Sequence, residues 1–384
     1  MFKLTRITTV PISLEKLLNN QLLFMKDYYE ITAISSDKEN LEKVGKSQKI
    51  SVHAIEMTRK ITPWKDLKAL WKLYLYLKKE QPLIVHTHTP KAGTIGMIAS
   101  KMAGVPHRIH TVAGLPLLET NGGKRKLLNL VEKITYSCAS KIYPNSKGLK
   151  KIIIQEGFCK PEKIKIISNG STNGIDSQFF NPEKISNELL FHLKKSLGIQ
   201  PDDFVFVYVG RLTGDKGINE LVVAFQKILT EFDNTKLLLV GFFESELDPL
   251  QKETIIEIKN NERIIFVPFQ EDIRPYYAVS NTLVFPSYRE GFPNAVLEAG
   301  AMGLPSIVTN INGCNEIIED YKNGILIPPK NPAALFMAMK KIISDTSLRN
   351  YLQQNARQMI VSRFEQIVLW KALLDEYQKL ENHV

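Results

Sequence analysis

The chain has 384 residues, of which 44% are hydrophobic and 23% charged. This composition excludes a disordered or fibrous protein, and the length exceeds that of one ordinary domain, so we expect two or three domains. The three cysteines (Cys138, Cys159 and Cys314) are far apart and lack metal-ligand spacing, so we expect free thiols in a reducing compartment. We expect neither a membrane-spanning helix nor a signal peptide, because no apolar run approaches 18 residues and the first residues lack an apolar core.

The net charge of +10 is unevenly distributed along the chain. Residues 1–170 contain 29 Lys and Arg against 13 Asp and Glu, whereas residues 171–384 contain 21 against 27. A basic first half predicts an anionic partner. We expect no nucleic acid, because there is no helix-turn-helix, zinc-finger or RNA-binding aromatic pattern. An anionic membrane surface fits better, and a solvated basic face is the alternative. The basic residues concerned include Lys124, Arg125, Lys126, Lys147, Lys150, Lys151, Lys160, Lys163 and Lys165.

Short β-rich runs alternate with longer helical patterns from end to end. In the first half the pattern predicts strands at 4–9, 31–35, 50–55, 83–87, 108–112, 141–143 and 164–167, and helices at 15–26, 64–80, 91–103, 124–138 and 146–157. In the second half it predicts strands at 204–209, 236–240, 263–267, 282–285, 306–309 and 325–327, and helices at 217–232, 272–280, 294–303, 312–319, 331–343 and 346–360. Apolar strands that alternate with helices indicate parallel sheets covered on both faces.

Thirteen strands are too many for one sheet, so the sequence predicts an α/β protein with two Rossmann-like, doubly wound parallel-sheet domains. We place the first domain at 1–178 and the second at 179–362. The amphipathic stretch at 363–384 is expected to form a helix that crosses back to the first domain. Ligands of open parallel sheets bind beyond the carboxyl ends of the strands, so two such domains facing each other would share one deep cleft.

The most specific segment is SYREGFPNAVLEAGAMGLPSIVT, at 287–309. It follows a predicted strand and opens a helix near Asn294, where Pro293 suits the first turn. The amides after Phe292 and the helix dipole favour a bound anion. Gly291 allows a ligand to approach the backbone closely.

Two carboxylates belong to this segment, Glu290 before the helix and Glu298 within it. The side chain of Glu298 should lean toward the helix N-terminus, which would bring the two acids to opposite ends of one small ligand. Carboxylates accept paired hydroxyl hydrogen bonds, as from a ribose or a hexose. A capped helix with a surface acid is the structural alternative.

The second segment is VYVGRLTGDKGINELVVAF, at 207–225. A strand ends near Gly210, and the loop that follows carries Arg211 and Lys216. Two cations in such a loop indicate a diphosphate clamp, unless they are simply solvated charges. The sequence has no Asp-x-Asp pair of the kind that holds a divalent cation on a diphosphate, so we expect no metal and no cofactor.

The segments G-R-L-x(3)-K-G, L-L-V-G, F-x-x-D-I-x-x-Y-Y-x-x-S, F-P-S-x-x-E-G-F-P and E-x(7)-E occur in this order in the second half. Together they resemble the family 4 retaining glycosyltransferases of the GT-B fold. In the first half HTHTPKAG, GVPHRIHTVAGLP and ITYSCASKIYPNSKGL resemble the bacterial branch that builds capsule, O-antigen and other lipid-linked glycans.

The resemblance implies a role for each matching position. Arg211 and Lys216 would bind the diphosphate of a nucleotide-sugar donor, expected to be a UDP-hexose or UDP-N-acetylhexosamine. Glu298 would bind the ribose, and Glu290 with the backbone of 291–294 would meet the transferred sugar. The acceptor would be a glycan or a polyprenyl-diphosphate-linked glycan at the cytoplasmic face of the membrane.

The chain departs from the family pattern at two places. The loop after the first strand reads TVPIS at 9–13, where many relatives have a glycine pair. Ala113 stands where many relatives have a histidine close to the reacting sugar. His110 is our candidate for that role, and His86 and His88, at the end of the neighbouring predicted strand, are further candidates.

We expect a front-face displacement with retention of configuration, in which the departing diphosphate takes the acceptor proton and no protein nucleophile is required. Two alternatives remain. One is a sugar-nucleotide 2-epimerase of the same fold, which needs acid–base groups around the sugar. The other is a non-catalytic sugar-nucleotide-binding module.

Overall fold

The structure, a computed structural model, describes residues 1–58, 60–244 and 248–382, without the side chains of Pro116 and Glu119. The chain forms two compact units: unit 1 is Met1–Gly174 with Gln366–Val384, and unit 2 is Ile175–Glu365. The divisions fall at 174/175 and 365/366, whereas the sequence placed them at 178/179 and 362/363. The amide of Ile175 donates to the carbonyl of Phe364 at 2.8 Å, so the two ends of unit 2 are paired with each other.

Unit 1 contains a six-stranded parallel sheet in the order β3-β2-β1-β4-β5-β6. Its strands are β1 (Lys3–Ile7), β2 (Glu30–Ser35), β3 (Ser51–Ala54), β4 (Ile84–Thr87), β5 (His107–Val112) and β6 (Lys141–Pro144). Its helices are α1 (Pro11–Leu17), α2 (Gln21–Met25), α3 (Lys38–Gln48), α4 (Pro63–Glu80), α5 (Pro90–Ala103), α6 (Gly122–Cys138), α7 (Lys147–Gln155) and, at the end of the chain, α16 (Gln366–Glu381). Because parallel crossovers are right-handed, α4, α5 and α6 cover one face of this sheet and the helices after β1 and β2 cover the other.

The predicted strand at 164–167 is wrong. Only Ile164 forms a bridge, with Ile142 of β6. The chain then turns away from the sheet: Ser168 has a φ of 49°, and the amide of Gly170 donates to the carbonyl of Ile167 at 3.0 Å. Unit 1 therefore has six strands rather than seven.

The last helix, α16, packs into unit 1. Its apolar side chains share a buried cluster with residues of β1, β2 and α2; they are Leu369, Trp370, Leu373, Leu374 and Tyr377. The hydroxyl of Tyr377 accepts a hydrogen bond at 3.1 Å from the fully buried guanidinium of Arg6 in β1. A buried charge is costly unless it is hydrogen-bonded, so this contact ties the helix to the centre of the sheet.

Unit 2 contains a second six-stranded parallel sheet, in the order β12-β11-β10-β7-β8-β9. Its strands are β7 (Phe204–Leu212), β8 (Thr235–Phe243), β9 (Ile264–Pro268), β10 (Thr282–Phe285), β11 (Ser306–Thr309) and β12 (Gly324–Ile327). Its helices are α8 (Asn187–Ser196), α9 (Ile218–Leu229), α10 (Lys252–Asn260), α11 (Arg274–Ala278), α12 (Asn294–Ala301), α13 (Cys314–Ile317), α14 (Pro332–Ser344) and α15 (Thr346–Phe364). The prediction of an α/β protein with two doubly wound parallel sheets is confirmed.

The strand order of unit 2 reverses between β7 and β10, which lie side by side. From β7 the chain continues to β8 and β9 on one side, and β10, β11 and β12 follow on the other. A doubly wound sheet binds its ligand at this reversal, beyond the carboxyl ends of the strands. A ligand site is therefore expected at the loops after β7 and β10.

Across the described ranges 1–58, 60–244 and 248–382, no helix combines the length and the apolar character that crossing a membrane requires.

Candidate functional site

The loops after β7 and β10 are in direct contact through Gly217. This glycine has a φ of 72°, and a Cβ built on it would lie 2.2 Å from the carbonyl oxygen of Pro286. Any larger residue would therefore push the two loops apart. The turn Gly214–Lys216 precedes this contact, and α9 begins directly after it.

The close approach brings Lys216 to Glu290. The ammonium group of Lys216 and the carboxylate of Glu290 form an ion pair, and both side chains are largely buried, at 15% and 14% exposed. The same ammonium lies 5.9 Å from the ring centroid of Phe285, the last residue of β10. Two residues predicted to touch the donor are thus joined to each other.

Arg211 lies near the end of β7, which extends three residues beyond the predicted strand and also includes Gly210. Its guanidinium forms an ion pair with Glu244 and remains 39% exposed. Burial alone would lower the pKa of Arg211, but the hydrogen bond with Glu244 outweighs it and the pKa is raised. Arg211 therefore carries a full positive charge at the end of β7.

Asp215 supports the loop between these two cations. Its carboxylate accepts from the hydroxyl of Thr213 at 2.6 Å and pairs with the guanidinium of Arg289 at 2.9 Å. Burial would raise the pKa of Asp215, yet the Thr213 hydrogen bond and the charges of Lys216 and Arg289 together lower it. The site thus carries alternating charges, which hold both loops in place.

The start of α12 lies directly after the second loop. Phe292 is buried and contacts Phe364 edge-on, with 5.3 Å between the ring centroids. Pro293 caps the helix and Asn294 is its first residue. A Cβ built on Gly313 would lie 2.2 Å from the carbonyl oxygen of Gly291, so the backbone is closely packed here. Because the first amides of a helix have no intrahelical partner, this helix N-terminus suits an anion.

Glu298 lies in the second turn of α12. The hydroxyl of Tyr277, a fully buried residue of α11, donates to its carboxylate at 3.2 Å. This contact helps to orient the Glu298 side chain. Tyr277 belongs to the motif F-x-x-D-I-x-x-Y-Y-x-x-S, but the sequence analysis gave it no role, because the spacing E-x(7)-E does not reveal this contact.

His110 lies in unit 1, as do the further candidates His86 and His88, whereas the residues predicted to bind the donor lie in unit 2. The residue is 4% exposed, its Nδ1 contacts the hydroxyl of Thr87 at 2.8 Å, and a Cβ built on Gly93 would lie 2.4 Å from the ring. Burial lowers the pKa of His110 to about 4. The ring is thus neutral near pH 7 and packed beneath the start of α5.

His86 and His88 are also buried in unit 1, in a polar cluster around Arg6. The Nε of Arg6 lies 3.0 Å from Nε2 of His88, and its second terminal nitrogen donates to Gln21 at 2.6 Å. His86 contacts the hydroxyls of Tyr377 and Thr111. Burial, with the neighbouring positive charges, lowers the pKa of both histidines well below the usual value.

The segment 9–13 holds no glycine pair; α1 begins within it at Pro11, and the hydroxyl of Thr9 is engaged inside unit 1. The amide of Thr9 donates to the hydroxyl of Thr89 at 3.0 Å, and the two hydroxyls are 2.7 Å apart.

Sequence reasoning also missed Asp215, Glu244 and Arg289 as neighbours of the clamp. Adjacency to Lys216 and Glu290 is the only signal that could have identified Asp215 and Arg289.

Two family descriptions match the chain. Residues 191–359 match "Glycosyl transferases group 1", and residues 14–146 match "Glycosyl transferase 4-like". The chain is 34% identical to the capsular polysaccharide biosynthesis glycosyltransferase CapM of Staphylococcus aureus, over 98% of this chain and 96% of CapM. It is 33% identical to a UDP-Gal:alpha-D-GlcNAc-diphosphoundecaprenol alpha-1,3-galactosyltransferase of Escherichia coli, over 80% of this chain and 78% of that protein.

The fold resembles a solved structure of Anabaena HepE in complex with UDP-glucose. The TM-score is 0.82 at 20% identity, and the match covers 99% of this chain and 100% of HepE. This likeness establishes the GT-B fold class. The similarity to CapM over 98% of the chain, with the two family matches, shows that the chain belongs to the group 1 glycosyltransferases and is a glycosyltransferase of GT-B fold.

Proposed function

We propose that this enzyme transfers a hexose or N-acetylhexosamine, with retention of configuration, from a UDP-sugar to a lipid-linked glycan in the synthesis of a bacterial surface polysaccharide. The donor site is proposed because three positive features lie at the strand reversal of unit 2. They are Lys216, Arg211 and the N-terminus of α12. Positive groups gathered there suit a nucleoside diphosphate.

Lys216 and Arg211 bind the diphosphate in this proposal. Both pair with carboxylates, Glu290 and Glu244, which hold the charges in place before the donor arrives. When the donor binds, phosphate oxygens would replace a carboxylate as hydrogen-bond acceptor of these two cations. The charge that develops on the departing diphosphate is then stabilised by groups that are already positioned.

Glu298 accepts hydrogen bonds from the ribose hydroxyls, and the hydroxyl of Tyr277 orients the carboxylate of Glu298. Glu290 and the backbone of 291–294 contact the transferred sugar. The cations of the chain take the role that a divalent cation plays in other sugar transferases, so we propose a reaction without metal or cofactor. His110 is too enclosed for a direct role without movement of α5, and its part in the reaction stays a prediction.

UDP as the nucleotide is proposed from HepE, which was solved with UDP-glucose. A lipid-linked acceptor is proposed from the E. coli relative, whose name specifies a diphosphoundecaprenol glycan. Unit 1 would receive this acceptor at the cytoplasmic face of the membrane, where the excess of basic residues in the first half favours anionic lipid.

The proposal is tested by incubating one UDP-sugar with purified enzyme and a short polyprenyl-diphosphate glycan and identifying the products. Transferred product with the donor's anomeric configuration, seen by NMR, would support it. An epimerised nucleotide sugar would favour the 2-epimerase alternative. Unchanged donor with each of several UDP-sugars and acceptors, despite tight UDP binding, would favour a non-catalytic module.

A further inference from the structure

Helix α4 of unit 1 has an apolar stripe on the side that faces away from its core. The stripe consists of Trp64, Leu67, Trp71 and Leu75, which are 84%, 56%, 55% and 50% exposed. Their spacing of three and four residues places them on one side of the helix. The opposite side is formed by Ala69, Leu73 and Leu77, which are buried.

The stripe runs beside a row of positive charge. Lys65, Lys68 and Lys72 are exposed and follow the stripe along one flank of α4. The two acids of the helix are engaged elsewhere: Asp66 pairs with Lys91 of α5, and Glu80 pairs with Lys3 of β1 at 3.0 Å. The outward side of α4 therefore presents tryptophan, leucine and lysine, with no acidic side chain to balance the lysines.

Helix α6 repeats this arrangement. Leu127, Leu130 and Ile134 are 48%, 55% and 41% exposed at helical spacing, beside the exposed Lys126 and Lys133. Both α4 and α6 pack against α5, in the helix layer that covers one face of the unit 1 sheet. Some basic residues named from the sequence do not contribute, because Arg125 pairs with Glu156, Lys165 pairs with Glu376, and Lys163 donates to backbone carbonyls.

We propose that the outward sides of α4 and α6 dock unit 1 onto an anionic lipid surface, with Trp64 and Trp71 at the level of the headgroups. Aromatic and leucine side chains beside lysines on one side of a helix are the pattern of helices that lie in the membrane interface. A second copy of this chain fits less well, because pairing two such surfaces would bring Lys65, Lys68 and Lys72 against their own equivalents. The inference deepens the proposed membrane location and requires no particular donor.

The chain contains its own reporter for this contact. Of its three tryptophans, two lie in the stripe, and the third, Trp370, is buried in unit 1 at 6% exposed. Vesicles of phosphatidylglycerol mixed with phosphatidylcholine should shift the tryptophan emission to shorter wavelength, and vesicles of phosphatidylcholine alone should shift it far less. Raising the salt concentration should weaken the binding, because the lysines contribute through screened charge.

Variants separate the two parts of the surface. Trp64→Ser with Trp71→Ser should reduce co-sedimentation with the anionic vesicles at least tenfold, whereas Trp64→Phe with Trp71→Phe should keep binding while losing the emission shift. Replacing Lys65, Lys68 and Lys72 by Gln should weaken binding about fivefold each, on the order of 100-fold together. The matched control, in unit 2, is Phe191→Ser with Lys194→Gln and Lys195→Gln, all on α8, and it should bind vesicles normally.

Unimpaired vesicle binding by the double serine variant would overturn the inference, as would binding that ignores lipid charge. Self-association that this variant abolishes, without any vesicle binding by the unchanged protein, would also overturn it and indicate a second copy as the occupant. Thermal unfolding shows whether each variant is folded. UDP titration of the same variants distinguishes the two proposals, because a variant can lose vesicle binding while it still binds UDP.

Discussion

The ammonium group of Lys216 is paired with the carboxylate of Glu290, which joins the loop after β7 to the loop after β10 across the strand reversal of unit 2. The two residues lie 74 positions apart in the sequence. The pair holds the ammonium group of Lys216 in place in the loop that is proposed to bind the donor diphosphate.

Lys216→Ala should weaken UDP binding by about 2 kcal/mol, roughly 30-fold, because a charge-assisted contact to the diphosphate is lost. Glu290→Ala should remove most turnover with a smaller loss of UDP affinity, because Glu290 is proposed to meet the sugar rather than the nucleotide. Titration calorimetry and initial rates measure the two effects. Lys340→Ala, which breaks the exposed pair with Glu231 at 2.5 Å, is the matched control and should change neither. Equal effects of Lys216→Ala and Lys340→Ala would contradict the assignment.

Glu298→Gln should weaken the binding of UDP about tenfold while leaving the weaker binding of inorganic diphosphate unchanged, since only UDP offers ribose hydroxyls. Tyr277→Phe should produce a smaller loss in the same direction, because it removes only the hydroxyl that orients Glu298. Competition between UDP and diphosphate measures both variants. If diphosphate binding fell in parallel with UDP binding, Glu298 would act on the loop as a whole and not on the ribose.

Gly217→Ala should destabilise the protein more than Gly303→Ala does. Both glycines have positive φ, 72° and 85°, so each alanine carries a backbone cost of about 1–2 kcal/mol. Only at Gly217 would the new Cβ also meet a backbone carbonyl, that of Pro286, whereas the space beside Gly303 is open. Urea unfolding with both variants isolates the cost of the clash. Equal losses would mean that the two loops are not in tight contact.

Acidification should destabilise unit 1. The pKa of His110 is lowered by burial to about 4 in the folded chain, so the unfolded chain binds more protons between about pH 6.5 and pH 4. The free energy of unfolding should therefore fall as the pH drops through this window, by about 3 kcal/mol for this histidine alone, because each tenfold difference in proton affinity is worth about 1.4 kcal/mol. His86 and His88 act in the same direction.

Urea unfolding at a series of pH values checks this. His110→Gln should flatten the pH dependence, whereas His192→Gln, at an exposed position of α8 in unit 2, should leave the profile as it is. A profile of His110→Gln that superimposes on that of the unchanged protein would show that this histidine is not the acid-sensitive group.

Much of the fold follows from the sequence because hydrophobic periodicity is strong in its strands and long helices. Helix α4 was predicted at 64–80 and spans Pro63–Glu80. A mostly polar helix was missed: α3 was not predicted, because Leu41 and Val44 are its only buried apolar residues apart from Gly45. The apolar run at 164–167 resembled a strand, but the turn at Ser168 ends its pairing after a single bridge.

The candidate site was predicted as a set of residues and not as an arrangement. Motif spacing identified Lys216 and Glu290, yet their contact depends on the fit of Gly217 against Pro286, which is a property of two loops from distant parts of the chain. Likewise, nothing in the sequence near His110 reveals that Gly93 of α5 lies directly over its ring.

Unit 2 is proposed to bind a nucleoside diphosphate through Lys216 without a metal. The most direct test of this proposal is calorimetric titration of the purified protein with UDP, GDP and ADP in the presence of EDTA. We predict micromolar binding of UDP that Lys216→Ala weakens roughly 30-fold and Lys340→Ala preserves. Binding that appears only when a divalent cation is restored would show that the site requires a metal, and equal UDP binding by Lys216→Ala would show that Lys216 does not bind the diphosphate.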